Sequence, residues 1–155
     1  MIDWINRRFP LAAGRYVHTS QRSKKYNCIA WAAGESHISY APQAGYKWPS
    51  NSKTNHIESL ISVFAGLGFR QCEHSPSLEP GFRKVALYAK RTIFTHAVRQ
   101  LPNGRWASKM GINGEDIDVD SPECLCNETY GDVYCYMRAE GEPQLIQPPN
   151  PVQGY

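Results

Sequence analysis

The element around which the chain folds is predicted by the stretch YNCIAWAAG, residues 26–34. Alanines alternate with large apolar side chains, so the segment is apolar almost all round, which is typical of a helix buried inside a domain. Polar residues precede Cys28 and Gly34 closes the run, so we expect the helix to begin at or near Cys28. The helix dipole and the nearby Lys24 and Lys25 would both favour a thiolate there. The alternative is an inert buried cysteine that packs like alanine.

Length and composition predict one domain and exclude several classes of protein. A chain of 155 residues that is 41% hydrophobic can bury one substantial core but not two. We predict a single domain over residues 1–140 and a flexible, Pro- and Gln-rich tail over 141–155. The net charge of +3 is spread without a long basic run, which argues against nucleic-acid binding.

No segment of the sequence resembles a membrane span or a secretory signal. No apolar run approaches the roughly 20 residues that cross a bilayer, and the first residues lack the apolar core of a signal peptide. We therefore expect a cytoplasmic protein without membrane contact, although a dedicated secretion system would leave no trace in the sequence. The sequence does not indicate an oligomeric state.

Five cysteines leave at least one thiol unpaired in a monomer. Cys124, Cys126 and Cys135 suggest a zinc site, but the usual two-residue spacing and a second ligand pair are missing. We therefore favour packing for these three thiols and expect neither a metal nor another cofactor.

The remaining elements are predicted from apolar periodicity and turn residues. An amphipathic helix is expected over 54–69, capped by Thr54 or Asn55. Strands are expected next, with Pro102-Asn103-Gly104 as a hairpin turn and 111–120 as an acidic loop. The expected strands cover 69–73, 84–89, 94–101, 105–110 and 130–138. Two helices followed by an antiparallel meander predict an α+β domain, with residues 1–25 as an irregular lead-in.

A cysteine at a helix start followed by a histidine on a strand is the arrangement of cysteine hydrolases. A thiol needs a base within reach, and the base needs a third group that fixes its tautomer. Cys28 and His96 are our candidates for nucleophile and base. The strand that pairs with the His96 strand offers Ser108 or Lys109 as the third group, and Asp116 could reach over from the acidic loop.

Further residues are candidates for substrate binding. Asn27 and Gln21, with backbone amides at the helix start, are candidates for an oxyanion site. Trp48 is one of several loop aromatics that could line a groove, although packing is the commoner reason for such residues. Arg99 and Lys109 could bind an acidic group of the substrate, or simply face solvent.

Three segments resemble an uncharacterised bacterial domain family. They are NCIAWA (27–32), KVALYA (84–89) and HAVRQLPNGRWASKMG (96–111). The family's order of elements is similar to that of NlpC-type papain-fold peptidases and amidases. This similarity implies a papain-like α+β fold with N-terminal helices packed on an antiparallel sheet. A histidine expected soon after the Asp116-Ile117 pair is absent, because Asp118-Val119-Asp120 stands there instead.

These observations together predict a cysteine hydrolase that cleaves a peptide, isopeptide or amide bond through a thioester at Cys28. A peptide or protein substrate is expected, and the enzyme could be a housekeeping amidase or a toxin-like effector. One alternative is a non-catalytic binding module. Another is an acyl transferase or deamidase that uses the same thioester.

Overall fold

A seven-stranded antiparallel sheet dominates the structure, a computed structural model that describes residues 3–111 and 114–145. The elements in chain order are α1 (Asp3–Arg8), β1 (Val17–His18), α2 (Cys28–Ala32), α3 (Ile57–Gly66), β2 (Arg70–Cys72), β3 (Phe82–Lys90), β4 (Ile93–Gln100), β5 (Trp106–Lys109), β6 (Asp116–Val119), a 3-10 turn (Pro122–Leu125) and β7 (Asp132–Glu140). Across the sheet the strands follow the order β1-β6-β5-β4-β3-β7-β2.

The predicted papain-like α+β fold is wrong. The described residues form a β-rich fold in which the helices are few and short, and only α3 exceeds two turns. The segments 1–25 and 111–120, predicted as lead-in and loop, contain α1, β1 and β6. β6 escaped prediction because aspartate disfavours strands intrinsically, whereas pairing with β5 and burial impose one here.

Other elements form close to where the sequence predicts them. α2 begins at Cys28, and β3 is central because it pairs with β4 on one side and β7 on the other. The hairpin forms around the predicted turn at Pro102-Asn103-Gly104 and places Arg99 opposite Ala107. α3 starts at Ile57, and its cap is the ring of His56 rather than one of the two residues before it.

The sheet separates two apolar cores. The helix-side core holds α2 and α3 against alternate residues of the central strands, such as Leu87 and Ala97. The far-side core packs the opposite face of the sheet under α1, the 3-10 turn and the segment that includes Tyr130. Neighbouring residues on one strand therefore enter different cores, as Ala97 and Val98 do.

A bulge in β4 decides which side chains face each core. Tyr88 of β3 pairs with His96, while the next residue, Ala89, pairs with Phe94, so Thr95 is the extra residue. His96 thereby falls on the far side, and Phe94 packs against the helix-side core. The hydroxyl of Thr95 donates a hydrogen bond to the Tyr130 carbonyl and fixes the bulge to the far-side layer.

β4 and β5 pair only over their ends nearest the hairpin. Their paired residues are Arg99 with Ala107 and Gln100 with Trp106, and the ladder stops before His96 and Ala97. Beyond this point β4 has no partner on its β5 side, although it stays paired with β3. This part of β4 carries the histidine predicted as a catalytic base.

Within the described ranges, no helix is long and apolar enough to cross a membrane. The predicted flexible tail begins at Gly141, where residues 141–145 form neither helix nor strand. The rest of that prediction concerns residues 146–155, which lie outside the described residues.

Candidate functional site

Asn27 positions Cys28 at the start of α2. Its Oδ1 accepts a hydrogen bond from the Ala30 amide at 3.0 Å, which caps the helix. The same oxygen accepts from the Tyr40 amide at 3.2 Å, and Nδ2 donates to the Tyr40 carbonyl at 2.6 Å. Asn27 therefore caps α2 and ties it to the loop at Tyr40, and it lines the same cavity as Cys28. Its predicted role as an oxyanion donor stays a prediction, which the second hydrogen of Nδ2 would serve.

The Cys28 thiol is uncharged in the resting protein. Burial of the sulfur raises the pKa of Cys28 to about 11, and the backbone amides of Ala97, Ile29 and Cys28 itself act in the opposite direction with less effect. This direction is opposite to the predicted activation. α2 has only five residues, and both Lys24 and Lys25 are exposed, so neither the dipole nor these lysines outweighs burial.

The Ala97 amide reaches the thiol because β4 has no partner on its β5 side at this position. The Leu101 amide donates to the Arg105 carbonyl across the hairpin. Alternate residues of an antiparallel strand direct their amides to the same neighbour, so Arg99 and Ala97 also face the β5 side. The ladder has ended at Ala97, and its amide is therefore available to Cys28.

His96 is held from three directions on the far side of the sheet. Its ring stacks on Tyr130 with the centroids 3.9 Å apart and the planes 11° from parallel. It also contacts the Tyr88 ring, with 5.2 Å between centroids. Its Nε2 lies 2.7 Å from the Ser108 Oγ. Burial lowers the pKa of His96 to about 3, so the imidazole is neutral at physiological pH.

The Ser108 hydroxyl lies between His96 and Met110. Its Oγ is 2.7 Å from His96 Nε2 and 3.2 Å from the Met110 Sδ, and either atom can accept its single hydrogen. When that hydrogen points to Met110, Oγ accepts from Nε2–H and the lone pair of the ring is on Nδ1. Nδ1 is buried without a hydrogen-bond partner among the described residues. A general base that acts through Nδ1 requires this tautomer.

Cys28 and His96 line the same cavity, of about 310 Å³. The cavity lies where β4 has no partner on its β5 side. Thr95, Tyr130 and Gly111 also contribute to its wall. Cys28 packs against the helix-side core, whereas His96 contacts the far-side rings. The cavity therefore joins the two sides of the sheet at the bulge.

Proton transfer from Cys28 to His96 is unfavourable at rest. A thiol with a pKa of about 11 and an imidazole with a pKa of about 3 differ by about eight pKa units. At 1.36 kcal/mol per unit, the separated charges would lie about 11 kcal/mol above the neutral pair. The resting site therefore contains a neutral thiol and a neutral imidazole.

Asp116 and Lys109 belong to a buried polar network and not to His96. Asp116 accepts a 2.5 Å hydrogen bond from the Tyr26 hydroxyl. Lys109, its cross-strand neighbour, donates to the carbonyls of Ser23 at 2.8 Å and Gly114 at 2.9 Å and lies over the Tyr26 ring. Burial lowers the pKa of Lys109 and raises the pKa of Asp116. Ser108, Lys109 and Asp116 are the candidates for the third group. Of these three, only Ser108 lies beside the imidazole.

Three other predicted substrate residues lie away from the Cys28 cavity. Arg99 fastens α2 to β4, because its Nε donates to the Trp31 carbonyl at 3.0 Å and its guanidinium lies 4.5 Å from the Trp31 ring centre. Trp48 is buried, stacks on Phe94 and donates to the Ser52 carbonyl at 2.7 Å. Gln21 is exposed and does not line the cavity.

Sequence reasoning missed Tyr130 and Thr95. Tyr130 lies immediately before the last strand in sequence, and nothing in its neighbourhood indicates that its ring covers a histidine 34 residues earlier. The bulge at Thr95 interrupts no apolar alternation, so the sequence carries no signal for it. Among the described residues, no group of three or more histidine, cysteine or carboxylate side chains could hold a metal ion.

Comparison with known proteins identifies a family and nothing more specific. A family model described as "Domain of unknown function (DUF7689)" matches residues 17–138. No curated protein and no solved structure matches the chain, and none of the comparisons supports similarity to NlpC-type peptidases. The matched segment includes α2, β4, β5 and all described residues that line the Cys28 cavity. The chain therefore belongs to the DUF7689 family, an uncharacterised domain family.

Proposed function

We propose that the protein is a cysteine hydrolase that cleaves an amide bond of a peptide or protein through a thioester on Cys28. The observation that carries this proposal is the Cys28 cavity, whose wall includes both the thiol and the imidazole. Ser108 holds the buried ring at Nε2, and the proposed tautomer has its lone pair on Nδ1, which has no hydrogen-bond partner among the described residues.

The proposed reaction has two balanced steps. The Cys28 sulfur attacks the carbonyl carbon while its proton passes to His96 Nδ1. That proton then goes to the leaving nitrogen as the carbon–nitrogen bond breaks, which releases an amine and leaves a thioester. Water attacks the thioester, and its proton passes through Nδ1 to the departing sulfur. A carboxylic acid leaves and the neutral thiol is restored.

The neutral resting pair requires proton transfer to accompany attack. A preformed thiolate is not available, because burial opposes charge on both partners. Charge appears on the sulfur only as the carbonyl approaches, and the amides of Ala97 and Ile29 stabilise it there. Ser108 acts as a positioning residue, because it contacts His96 and not the substrate.

The decisive test is acylation of the protein by p-nitrophenyl butyrate, followed by intact mass and peptide mapping. The wild type is expected to release nitrophenol and to carry a butyryl group on Cys28. Cys28→Ala should lose both signals. His96→Gln keeps an amide beside Ser108 but lacks the basic nitrogen, so we expect acylation to fall at least about 100-fold.

Cys72→Ser is the matched control, because Cys72 is a half-buried thiol outside the cavity. It should leave acylation unchanged. Butyryl groups distributed over all thiols, at rates independent of His96, would overturn the proposal. An adduct that forms but transfers only to an added amine would identify an acyl transferase instead of a hydrolase.

A non-catalytic binding module is the second candidate function. The observation that favours it is the raised pKa of the Cys28 thiol, since an ordinary buried cysteine shows the same direction. This candidate expects no acyl group on Cys28 under any condition. It also expects a bound ligand to protect Cys28 from alkylation equally in the wild type and in His96→Gln.

A further inference from the structure

Within residues 3–111 and 114–145, no charged side chain lines the Cys28 cavity. Aromatic and other apolar groups form most of it, including Tyr40, Pro42, Phe94 and Tyr130. The polar groups are uncharged, and the carboxamides of Gln43 and Asn55 are exposed at its rim. A charged group placed inside would lose water without gaining a partner of opposite charge.

The buried cations Arg99 and Lys109 donate hydrogen bonds to backbone carbonyls outside the cavity. Arg99 is bonded to the carbonyls of Trp31 and Gln144, and Lys109 to those of Ser23 and Gly114. Neither side chain lines the Cys28 cavity. The two cations predicted to bind an acidic substrate group are therefore not part of the wall of the Cys28 cavity.

We infer that the site accepts an uncharged acyl group with an apolar or aromatic side chain, carried on a peptide-like amide that meets Gln43 and Asn55. This inference rests on the proposed function and names its substrate class. The apolar wall supplies the affinity, because removing the side chain from water is favourable at every contact. The rim carboxamides match the donor and acceptor of a peptide bond.

Three iodoacetamides of matched length test the inference without requiring catalysis. They carry N-butyl, N-(3-carboxypropyl) and N-(3-trimethylammoniopropyl) groups, which are neutral, anionic and cationic. Their rates on Cys28 are measured by peptide mass spectrometry and divided by their rates on the neutral thiol N-acetylcysteine amide. On this scale we expect the neutral reagent to react at least about tenfold faster than either charged reagent, which corresponds to about 1.4 kcal/mol in activation free energy.

Rim variants test whether the cavity causes the preference. Gln43→Lys should raise the relative rate of the anionic reagent at least about fivefold, and Gln43→Glu should do so for the cationic reagent. Gln43 is exposed, so both variants are expected to fold. Gln71→Lys and Gln71→Glu are the matched controls, since Gln71 is exposed on β2 outside this cavity, and they should change nothing.

Equal relative rates for the three reagents on the wild type would overturn the inference. So would identical shifts from the Gln43 and Gln71 variants, because the preference would then come from net charge. Alkylation needs only a thiol, so a failed butyrate assay with a strong neutral preference would reject the hydrolase and keep the selectivity. Turnover of p-nitrophenyl butyrate without a preference for the neutral iodoacetamide would support the hydrolase and reject the selectivity.

Discussion

His96 is almost completely removed from water, with 1% of its surface exposed. Its ring is enclosed by Tyr88, Tyr130 and Ser108, and burial lowers its pKa to about 3 from an ordinary 6.5. Between these two values the unfolded chain binds a proton that the folded protein excludes. Folding is therefore favoured as the pH rises through this window, and stability is lost as the pH falls from 6.5 towards 3.

The first prediction follows from this imbalance. Acidification from pH 7 to pH 5 should remove about 2 kcal/mol of the free energy of unfolding through His96 alone. Urea unfolding at the two pH values measures it. His96→Gln should lack this component, while the other titrating groups affect both proteins alike. The same loss in both proteins would contradict the burial of a neutral His96.

The second prediction concerns the Cys28 thiol at rest. With its pKa raised to about 11, we expect iodoacetamide to label Cys28 at pH 8 about 100-fold more slowly than the same cysteine in urea-unfolded protein. The rate in the folded protein should rise about tenfold per pH unit from pH 7 to 9.5. A plateau below pH 8 would instead show a thiolate–imidazolium pair already formed.

At the scale of elements, the start of α2 depends on one side chain. Asn27 caps the helix and ties it to Tyr40 on the following loop. Asn27→Ala removes the cap and the tie together, so the free energy of unfolding should fall by about 2–3 kcal/mol. Asn27→Asp keeps the acceptor oxygen and loses the donor, so we expect a smaller loss.

Chemical denaturation of both variants tests this third prediction. Asn103→Ala is the control, because Asn103 makes a single exposed hydrogen bond, to the Arg105 amide in the hairpin. It should change stability by less than about 0.5 kcal/mol. A loss as large as that of Asn27→Ala would mean that α2 has no special dependence on its cap.

Local sequence signals predicted those elements that local physics governs. The cap and alanines of α2, the turn after β4 and the apolar β3 each specify their own structure, and the hairpin register brought Ser108 into consideration. β6 was missed because its aspartates oppose a strand until β5 and Tyr26 accommodate them. The bulge at Thr95 depends on a contact with Tyr130, which no local pattern reports.

The electrostatics around Cys28 and His96 were not predictable from the sequence. Spacing identified Cys28 and His96, and the structure places both on one cavity. Their pKa values depend on how much protein surrounds each atom, and layers contributed by distant segments determine this. Arg99 shows the same limit, because its contact with Trp31 joins distant segments and holds its guanidinium at α2, outside the Cys28 cavity.

Across the whole molecule, the strand ladders are longest in the middle of the sheet. β3 and β7 carry the longest ladders, and β1 and β2 form the edges with two and three residues. Amides of central strands exchange only through global opening, whereas edge amides exchange through local fraying. Our fourth prediction is that hydrogen exchange is slowest in peptides from β3, β4 and β7 and fastest in β1 and β2.

Mass spectrometry of exchange at pH 7 measures this order. The same peptides from urea-unfolded protein provide the reference for intrinsic rates. Protection of β1 equal to that of β3 would contradict the assignment of β1 as an edge. Within β4, amides that face the missing β5 partner should exchange faster than the amide of Arg99, which lies in the β4–β5 ladder.

The early end of the β4–β5 ladder makes the Cys28 cavity sensitive to the length of β4. The two strands separate after the Arg99–Ala107 pair, and the cavity lies where they part. Thr95 is the extra residue of the neighbouring β3–β4 ladder, close to this point. Deleting Thr95 would make the β3–β4 ladder regular and remove one of the residues that line the cavity, so the cavity would change shape without any substitution of Cys28 or His96.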